Sequence, residues 1–269
     1  MNYIFSHYTG DLNKEGIRWY LNSVNKNIKN CMVLFFTDVN EIPCNLQTYP
    51  NVKFIKGFET NLELLDCCKR YFYYYEYILN NNFLPYDKFF IGDVRDLVFL
   101  DDIFDRIIDN NQIHLFQENS SVILKDEQCN TMWLNDMDSN LINIIGHNPI
   151  CCSGTTICEN LNMIKSYLHD LTRLMLRYEK KSKWKINDQG IHNELVYTTN
   201  NFSKLKKENL NFHKNEIPDL IYTMGLCSEP EYIIESNNIY VGESRIKPAV
   251  IHQYDRRDRA KKLVIDMFN

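Results

Sequence analysis

The sequence contains none of the short glycine motifs that commonly hold phosphates or a catalytic serine. It has no G-x-x-x-x-G-K-[ST] segment, which excludes a P-loop, and no G-x-G-x-x-G segment, which excludes the dinucleotide fingerprint. The G-x-S-x-G elbow of serine hydrolases is also missing. If the protein binds phosphates, a metal ion and individual side chains must therefore neutralise them, rather than a glycine-rich loop.

Long apolar runs and cysteine motifs are missing as well. No window approaches 18 uncharged apolar residues, and the first residues, MNYIFSHYTGD, lack a basic segment followed by a long apolar stretch. Nine cysteines are present without a C-x-x-C pair, and the adjacent pairs Cys67-Cys68 and Cys151-Cys152 are poorly placed for a disulfide framework. We expect a cytoplasmic protein without a transmembrane segment, whose thiols are mostly free and partly buried.

Size and charge bound the fold and the partners. A chain of 269 residues with 44% hydrophobic and 24% charged residues is typical of a globular protein and fits a single α/β domain spanning residues 1–269. The net charge of −5 and the lack of a long basic block argue against nucleic acid as a partner. The abundance of Asn, Lys, Ile and Tyr indicates an AT-rich microbial or viral genome rather than a function.

The most informative segment is FFIGDVRDLVFLDDIF, residues 89–104. The apolar run Phe89–Ile91 leads to two carboxylates, Asp93 and Asp96, before a second apolar run begins. A buried strand that ends in closely spaced carboxylates is a common support for a divalent cation, because hard cations prefer anionic oxygens on a rigid base. The alternative is that both carboxylates are solvated turn residues, or that Arg95 pairs with one of them.

The first hundred residues alternate between strand and helix patterns. Apolar runs and helically spaced apolar residues predict strands and helices at Tyr3–Ser6, 13–28, 31–36, Val52–Ile55, 61–80 and Phe89–Ile91. This order implies a mainly parallel sheet flanked by helices, with right-handed crossovers. Ligands of such sheets lie beyond the carboxyl ends of the strands, where Asp38 and Asp93 are found.

The second half is more mixed, without a repeat, a glycine-serine linker or a clear boundary. Its predicted elements are strands at Ile113–Phe116, 232–234, 239–241 and 249–252, a long helix at 158–180, and a helix for which Asp188 is the N-cap. Residues 205–217 are polar and are expected to form a surface excursion. The segment Ser153-Gly154-Thr155-Thr156 precedes the long helix, and its simplest role is to cap it.

Several segments in a fixed order resemble one family. Arg70, on an aromatic helix, is followed by IGDVRDLVF, NPICCSGTTI (148–157), DQGIHNELVY (188–197) and KPAVIHQYDR (247–256). Together, from about residue 3 to 256, they resemble the GT-A nucleotide-sugar glycosyltransferases, particularly small microbial and viral members with a DVRD variant of the D-x-D motif. The resemblance implies a GT-A (Rossmann-like) fold and transfer of a sugar from a nucleotide diphosphate, UDP- or GDP-linked, to a glycan or protein acceptor.

The resemblance also implies a site for Mn²⁺ or Mg²⁺. Alignment of the apolar residues after the motif puts Asp96 on the family's second, metal-binding aspartate. Asp93 is displaced from a strict D-x-D position, and whether it reaches the metal directly or through water stays open. A late histidine commonly completes the site in this family, here His252, because neutral imidazole suits Mn²⁺ beside carboxylates. A lone histidine after a strand is otherwise a structural residue.

The nucleotide contacts implied by the resemblance each have a plainer alternative. Arg70 would lie near the nucleotide and the acidic motif, or it is a solvated helix charge. Arg95 would contact a phosphate, or it pairs with one of the motif's carboxylates. The loop containing His7, Tyr8 and Thr9 would hold the base and ribose, largely through its backbone.

The sugar contacts implied by the resemblance come from later segments. Gly154 and Thr155 would lie beside the donor sugar or the acceptor. Asp188 and Gln189 would act at the transferred sugar, with helix capping as the alternative for Asp188. Trp133 would stack on an acceptor sugar, or it is a buried core residue.

Two other functions, a metal-dependent phosphohydrolase or nucleotidyltransferase and a binding module, stay open beside a glycosyltransferase. The D-Q-G sequence together with a late metal-binding histidine is more similar to retaining members, whereas an inverting enzyme needs a carboxylate base opposite the leaving group. A metal-dependent phosphohydrolase or nucleotidyltransferase would also need strand-end carboxylates, but it would usually carry a further acidic cluster. A non-catalytic nucleotide-sugar-binding module would retain the fold with an altered acidic motif.

Overall fold

A computed structural model describes residues 1–58, 61–107, 111–182, 186–198, 204–226, 232–236 and 238–269. The strands are β1 (Asn2–His7), β2 (Cys31–Thr37), β3 (Val52–Lys56), β4 (Lys88–Gly92), β5 (Leu97–Phe99), β6 (Ile113–Gln117), β7 (Cys151–Cys158), β8 (Leu210–His213), β9 (Ile221–Thr223), β10 (Tyr232–Glu235), β11 (Asn238–Val241) and β12 (Val250–His252). The α-helices are α1 (Glu15–Asn27), α2 (Asp66–Asn80), α3 (Gln128–Met137), α4 (Leu141–Ile145), α5 (Leu161–Tyr178), α6 (Asp188–Tyr197) and α7 (Asp258–Phe268).

The central sheet has the strand order β3-β2-β1-β4-β7-β6-β8. Strands β3, β2, β1 and β4 run parallel, β7 runs antiparallel to β4 and β6, and β8 runs parallel to β6. Successive side chains of β4 point to opposite faces, so Phe89 and Ile91 belong to one hydrophobic core and Phe90 to another. The mainly parallel sheet flanked by helices is therefore confirmed.

A smaller sheet brings the last strand, β12, next to the segment that carries Asp93 and Asp96. Its order is β5-β12-β9, with β12 antiparallel to β5 and parallel to β9. His252 stands opposite Leu97, and the backbone N–H of Gln253 donates to the Asp96 carbonyl at 2.7 Å. The end of β12 is thus fixed against the segment that carries Asp93 and Asp96.

The segment Ser153–Thr156 does not cap the long helix, as the sequence suggested. These residues lie inside β7, which is buried along its whole length between β4 and β6. The long helix α5 begins at Leu161, and its cap is Asn160, whose side chain accepts the Met163 N–H at 3.0 Å. Serine, glycine and threonine suggest a turn in the sequence alone, but here both neighbouring strands supply the hydrogen bonds that hold the segment extended.

Three other boundaries were wrong in the sequence-based assignment. The cap of α6 is Asn187, whose side chain accepts the Gln189 N–H at 2.9 Å, and Asp188 is the first helical residue. The helix expected at 61–80 begins only at Asp66. The polar stretch 205–217 includes β8, which extends the central sheet beside β6.

The cysteines and the helices agree with two further expectations. The eight cysteines in the described residues are free, and six of them are at least partly buried; Cys227 lies outside the described residues. In the described part of the chain no helix is both long enough and apolar enough to cross a membrane.

Candidate functional site

Three side chains from distant parts of the sequence meet at the carboxyl end of β4. The Nε2 atom of His252 lies 3.4 Å from Oδ2 of Asp93 and 3.7 Å from Oδ1 of Asp96. One ligand atom from each residue can be chosen so that all lie within 4.8 Å of one another. Because each residue offers an oxygen or an imidazole nitrogen, this cluster has the donors that a divalent cation such as Mn²⁺ prefers.

The imidazole of His252 is placed for a cation more than for a hydrogen bond. The ring is 1% exposed, and its buried Nε2 faces the carboxylates of Asp93 and Asp96 at 3.4 and 3.7 Å, which is longer than an ordinary hydrogen bond. A buried nitrogen without a close partner costs stability unless a ligand satisfies it. The residue that follows, Gln253, has a φ of 58°, and left-handed backbone in a residue other than glycine often marks a functional site.

Gly154 lets the cluster close. A Cβ atom at this position would collide with Oδ2 of Asp93 and would lie 3.0 Å from Cε1 of His252. Because glycine has no side chain, the space beside its Cα stays free, and the carboxylate and the imidazole can approach each other there. Thr155, next in β7, is completely buried and pairs with Gly92, and its hydroxyl has no hydrogen-bond partner in the described residues.

Arg70 links the acidic motif to the start of α6. Its guanidinium donates to Asp93 Oδ1 at 2.5 Å and to Asp188 Oδ2 at 2.8 Å, and the residue is only 5% exposed. Arg70 is therefore not a solvated helix charge. One buried arginine holds two carboxylates of the site in fixed positions, as a planar fork of donors can.

Burial and charge set the protonation of the cluster. Burial raises the pKa of Asp93, but the Arg70 guanidinium and the His252 imidazole outweigh it and hold this pKa below its ordinary value. Burial raises the pKa of Asp96, and the Asp93 charge adds to that rise although His252 opposes it. Burial lowers the pKa of His252, yet Cys152 and the nearby carboxylates raise it above its ordinary value. The negative charge around the imidazole therefore attracts a cation, whether proton or metal.

Asp188 and Gln189 line a cavity of about 270 Å³ next to the cluster. Burial raises the pKa of Asp188, which Arg70 opposes. The Gln189 amide oxygen accepts the Ser153 N–H at 2.8 Å, and its amide nitrogen donates to Glu118 Oε1 at 2.8 Å. The half-buried Trp133 also lines this cavity, so it is not a core residue in the strict sense.

The predicted nucleotide loop lines a second and larger cavity of about 550 Å³, at the carboxyl ends of β1, β2 and β3. His7, Thr9 and Asp38 contribute to its wall together with Tyr73. Burial, with Arg70 second, lowers the pKa of His7 to about 4, so this imidazole is neutral at physiological pH. Tyr8 instead packs against the hydrophobic core beneath α1.

Arg95 does not pair with the acidic motif. Its side chain is 65% exposed and lies 3.8 Å from Asp255, which follows β12. Its backbone carbonyl accepts the Tyr254 hydroxyl at 3.0 Å, so the main chain of this residue is fixed although the side chain is exposed.

Three residues of the site were not found from the sequence. Glu118 and Arg256 line the smaller cavity, and Cys152 lies in β7 with its sulfur 3.6 Å from His252 Nδ1. Arg256 is part of the KPAVIHQYDR segment, four residues after His252, which is a signal that could have been used. A single glutamate after a strand and one of nine cysteines give no such signal.

No family model and no curated protein sequence matches this chain. Solved structures do match it. A crystal structure of the galactosyltransferase LgtC in complex with donor and acceptor sugar analogues is similar with a TM-score of 0.51 and 12% identity, over 100% of this chain and 97% of that chain. An active-site mutant of LgtC, in which a glutamine is replaced by glutamate, gives a TM-score of 0.53 and 12% identity, over 99% and 96% of the two chains. The chain thus has the GT-A fold of these glycosyltransferases.

Proposed function

We propose that this protein is a metal-dependent glycosyltransferase that moves a sugar from a nucleotide-diphosphate donor to an acceptor hydroxyl. The observation that carries the proposal is the cluster of Asp93, Asp96 and His252, in which a buried imidazole nitrogen faces two carboxylates at 3.4 and 3.7 Å. The GT-A fold, shared over the whole chain with a galactosyltransferase solved with donor and acceptor analogues, supports this reaction over hydrolysis of simple phosphates.

The metal would be Mn²⁺ or Mg²⁺, held by Asp93, Asp96 and His252. The short distance between Asp93 and His252 supports direct contact by Asp93 rather than contact through water. A bound divalent cation would stabilise the negative charge that grows on the leaving diphosphate. Without a P-loop, the chain would add Arg256, from the cavity wall, and the exposed Arg95 as further positive charges for the phosphates.

The donor would lie across both cavities. The larger one, at the strand ends with His7 and Thr9, would hold the base and ribose of a UDP- or GDP-linked donor, and the backbone of Tyr8 would complete that loop. The smaller one, bordered by Gly154, would hold the transferred sugar, and Thr155 would contribute only through its buried main chain. The base would thus lie in the larger cavity, the diphosphate at the metal cluster and the sugar in the smaller cavity.

The residues at the transferred sugar favour retention. Asp188 and Gln189 line the sugar cavity, and Arg70 fixes the Asp188 carboxylate so that it cannot swing freely. A glutamine is also an active-site residue of LgtC, which supports a role for Gln189 at the sugar. In this arrangement Asp188 would stabilise positive charge at the anomeric carbon. Trp133, from α3, would offer its ring to the acceptor, which we expect to be a glycan or a protein.

The proposal is tested with Mn²⁺ and a panel of UDP- and GDP-sugars. We expect the wild-type protein to hydrolyse one donor slowly, to transfer the sugar when an acceptor is added, and to lose both reactions in chelator. Asp96→Ala and His252→Ala should each weaken Mn²⁺ binding at least about tenfold, and the double variant should be little worse, because the residues act as one unit.

The matched control is His147→Ala, which removes an exposed histidine near Lys125 and should leave Mn²⁺ affinity unchanged. Full turnover in chelator would exclude the metal mechanism. Stabilisation by a nucleotide sugar without any turnover would instead identify a binding module, and turnover of simple phosphate esters would identify a hydrolase.

A further inference from the structure

Glu118 and Gln189 form a buried pair on the wall of the smaller cavity. Glu118 directly follows β6, and its backbone N–H donates to the Ile150 carbonyl at 3.0 Å, which ties it to the start of β7. Glu118 is 7% exposed and Gln189 is 8% exposed. The pair is therefore a fixed part of the cavity wall rather than a mobile surface contact.

The hydrogen bonds of the pair determine the orientation of the Gln189 amide. The Ser153 N–H can only donate, so the Gln189 atom that meets it must be the carbonyl oxygen. The other atom of the amide, which meets Oε1 of Glu118 at 2.8 Å, is then the nitrogen, and it donates to the carboxyl group. The Gln189 oxygen is thus already bound, and the amide has one N–H left for the cavity.

Glu118 differs from the other carboxylates that line this cavity. Asp93 and Asp188 are paired with Arg70, and the Glu127 carboxylate caps α3 by accepting the Cys129 and Asn130 N–H groups. The carboxylate of Glu118 accepts one hydrogen bond, from Gln189, and has no ion pair within the part of the chain that is described. One carboxylate oxygen therefore stays available to a ligand in the cavity.

An acceptor beside a donor is the arrangement that binds two neighbouring hydroxyl groups. One hydroxyl donates to the free oxygen of Glu118, and the next accepts the remaining N–H of Gln189. We propose that Glu118 is a sugar-recognition residue that, with Gln189, binds adjacent hydroxyls of an uncharged sugar and holds the Gln189 amide in place for that contact. This inference rests on the proposed glycosyltransferase function and deepens it by stating the class of sugar.

The charge of the cavity is the reason for an uncharged sugar. Four carboxylates, from Asp93, Glu118, Glu127 and Asp188, line a space of about 270 Å³, and they outnumber the two nearby guanidinium groups, Arg256 on the cavity wall and Arg70, which is engaged by two of the carboxylates. A sugar that carries its own carboxylate would bring a further negative charge next to Glu118, and like charges at short distance repel. A neutral hexose brings no charge into the cavity, and its hydroxyl groups can still form hydrogen bonds with Glu118 and Gln189.

The test compares donors that differ only in the charge of the sugar. Calorimetry with Mn²⁺ would measure the binding of UDP-glucose against UDP-glucuronate, GDP-mannose against GDP-mannuronate, and UDP and GDP alone. In the wild-type protein we expect the neutral member of the preferred pair to bind at least about tenfold more tightly, which corresponds to about 1.4 kcal/mol. E118Q should reduce this ratio to within about threefold and leave the affinity for the free nucleotide unchanged.

A transposed variant separates recognition from folding. Q189E places two carboxylates against each other and should lower the thermal midpoint by about 5 °C or more. In E118Q/Q189E a carboxylate at position 189 can still accept the Ser153 N–H and an amide can donate to it, so the midpoint should return close to that of the wild type. The discrimination against the uronate should return as well, because the cavity again has the wild-type number of carboxylates. The affinity for the neutral donor relative to the free nucleotide should stay lower than in the wild type, because the donor and the acceptor that face the sugar hydroxyls are then exchanged.

Two results would overturn the inference while the glycosyltransferase function stands. One is a wild-type protein that binds the uronate donor as tightly as the neutral donor or more tightly. The other is an E118Q variant with the wild-type ratio of affinities. If no nucleotide and no nucleotide sugar binds to the wild-type protein, the proposed function itself fails, and the inference about Glu118 fails with it.

Discussion

The sulfur atom of Cys152 lies 3.6 Å from Nδ1 of His252 and is the hydrogen-bond partner of that nitrogen in the described structure. Histidines that bind metals usually donate this second ring N–H to a carboxylate or a carbonyl, which fixes the ring and its tautomer. In this protein the hydrogen-bond partner of Nδ1 is the thiol of Cys152, on the central strand β7. With the Nδ1 N–H directed at the sulfur, Nε2 faces the two aspartates, and a metal ion bound there would replace the proton on Nε2.

Replacement of Cys152 should change metal binding more than folding. Cys152→Ala removes the partner of Nδ1, and we expect Mn²⁺ affinity to fall about tenfold. Cys152→Ser keeps an acceptor and should stay within about threefold of the wild type. Titration calorimetry measures both values. The control is Cys158→Ala, at the last residue of the same strand. Equal Mn²⁺ affinities in all three variants would contradict the role of the Cys152 thiol.

Replacement of Arg70 should reduce stability as well as activity. Arg70→Ala leaves the buried Asp188 and the half-buried Asp93 without their shared cation, so we expect the free energy of unfolding to fall by about 3 kcal/mol. Mn²⁺ should restore part of that loss through Asp93. The measurement is denaturant unfolding with and without Mn²⁺. Arg245→Ala, which breaks an exposed pair with Glu235, should cost less than about 1 kcal/mol, and a similar small loss for Arg70→Ala would disprove the prediction.

Replacement of Asp188 should separate turnover from nucleotide affinity. Because Asn187 is the helix cap, Asp188→Asn leaves the start of α6 intact but removes the charge beside Arg70. We expect turnover to fall at least about tenfold while UDP or GDP affinity changes less than about threefold, since the lost interaction acts at the reacting centre. Steady-state rates and calorimetry measure the two quantities.

The control for this prediction is a cap remote from the site. Asn160→Ala removes the cap of α5 and should lower stability by about 1 kcal/mol without a change in turnover. If Asp188→Asn behaves in the same way as this control, Asp188 has only a structural role.

A buried neutral histidine should make the fold sensitive to mild acid. His192 lies between the Tyr167 hydroxyl and the Cys151 sulfur, and burial lowers its pKa to about 3. The unfolded chain, with an ordinary histidine pKa near 6.5, therefore binds a proton that the folded chain does not, and stability falls as the pH falls below 6.5. From pH 6.5 to pH 5, His192 alone should lower the free energy of unfolding by about 2 kcal/mol.

The measurement is unfolding at several pH values between 6.5 and 5. His192→Asn should give a shallower dependence on pH than the wild type, whatever its absolute stability. His147→Asn, at an exposed position, should keep the wild-type slope. An unchanged slope in the His192 variant would show that another group causes the dependence.

The parallel half of the fold could be read from the sequence because its strands are continuous apolar runs. Strands β2 and β4 contain CMVLFF and KFFIG, and such runs leave few alternatives to a covered central strand. Strand β7, CCSGTTIC, has Ser153 and Gly154 at its centre, which suggest a turn, and the pairing with β4 and β6 keeps this segment extended. Helix α7 was missed although its buried residues Ala260, Leu263, Val264 and Phe268 have the spacing of an amphipathic helix, so this signal was present in the sequence.

The candidate site could be predicted only where a motif marks it. Asp93, Asp96 and His252 were proposed to share a cation, and the structure brings them together, although the metal role itself stays a prediction. Glu118 contacts Gln189 of α6, and Cys152 contacts His252 of β12, and neither spacing nor composition encodes such contacts. These contacts depend on which helices and strands become neighbours, which is a property of the folded chain.

The order of the three cluster residues along the chain has a consequence for biosynthesis. Asp93 and Asp96 leave the ribosome early, whereas His252 arrives on β12, which must insert between β5 and β9. The larger cavity, by contrast, is built from segments within the first 73 residues. The residues that line the larger cavity are thus synthesised well before the last residue of the cluster. The cluster cannot be complete until nearly all of the 269 residues have been made and β12 has joined its sheet.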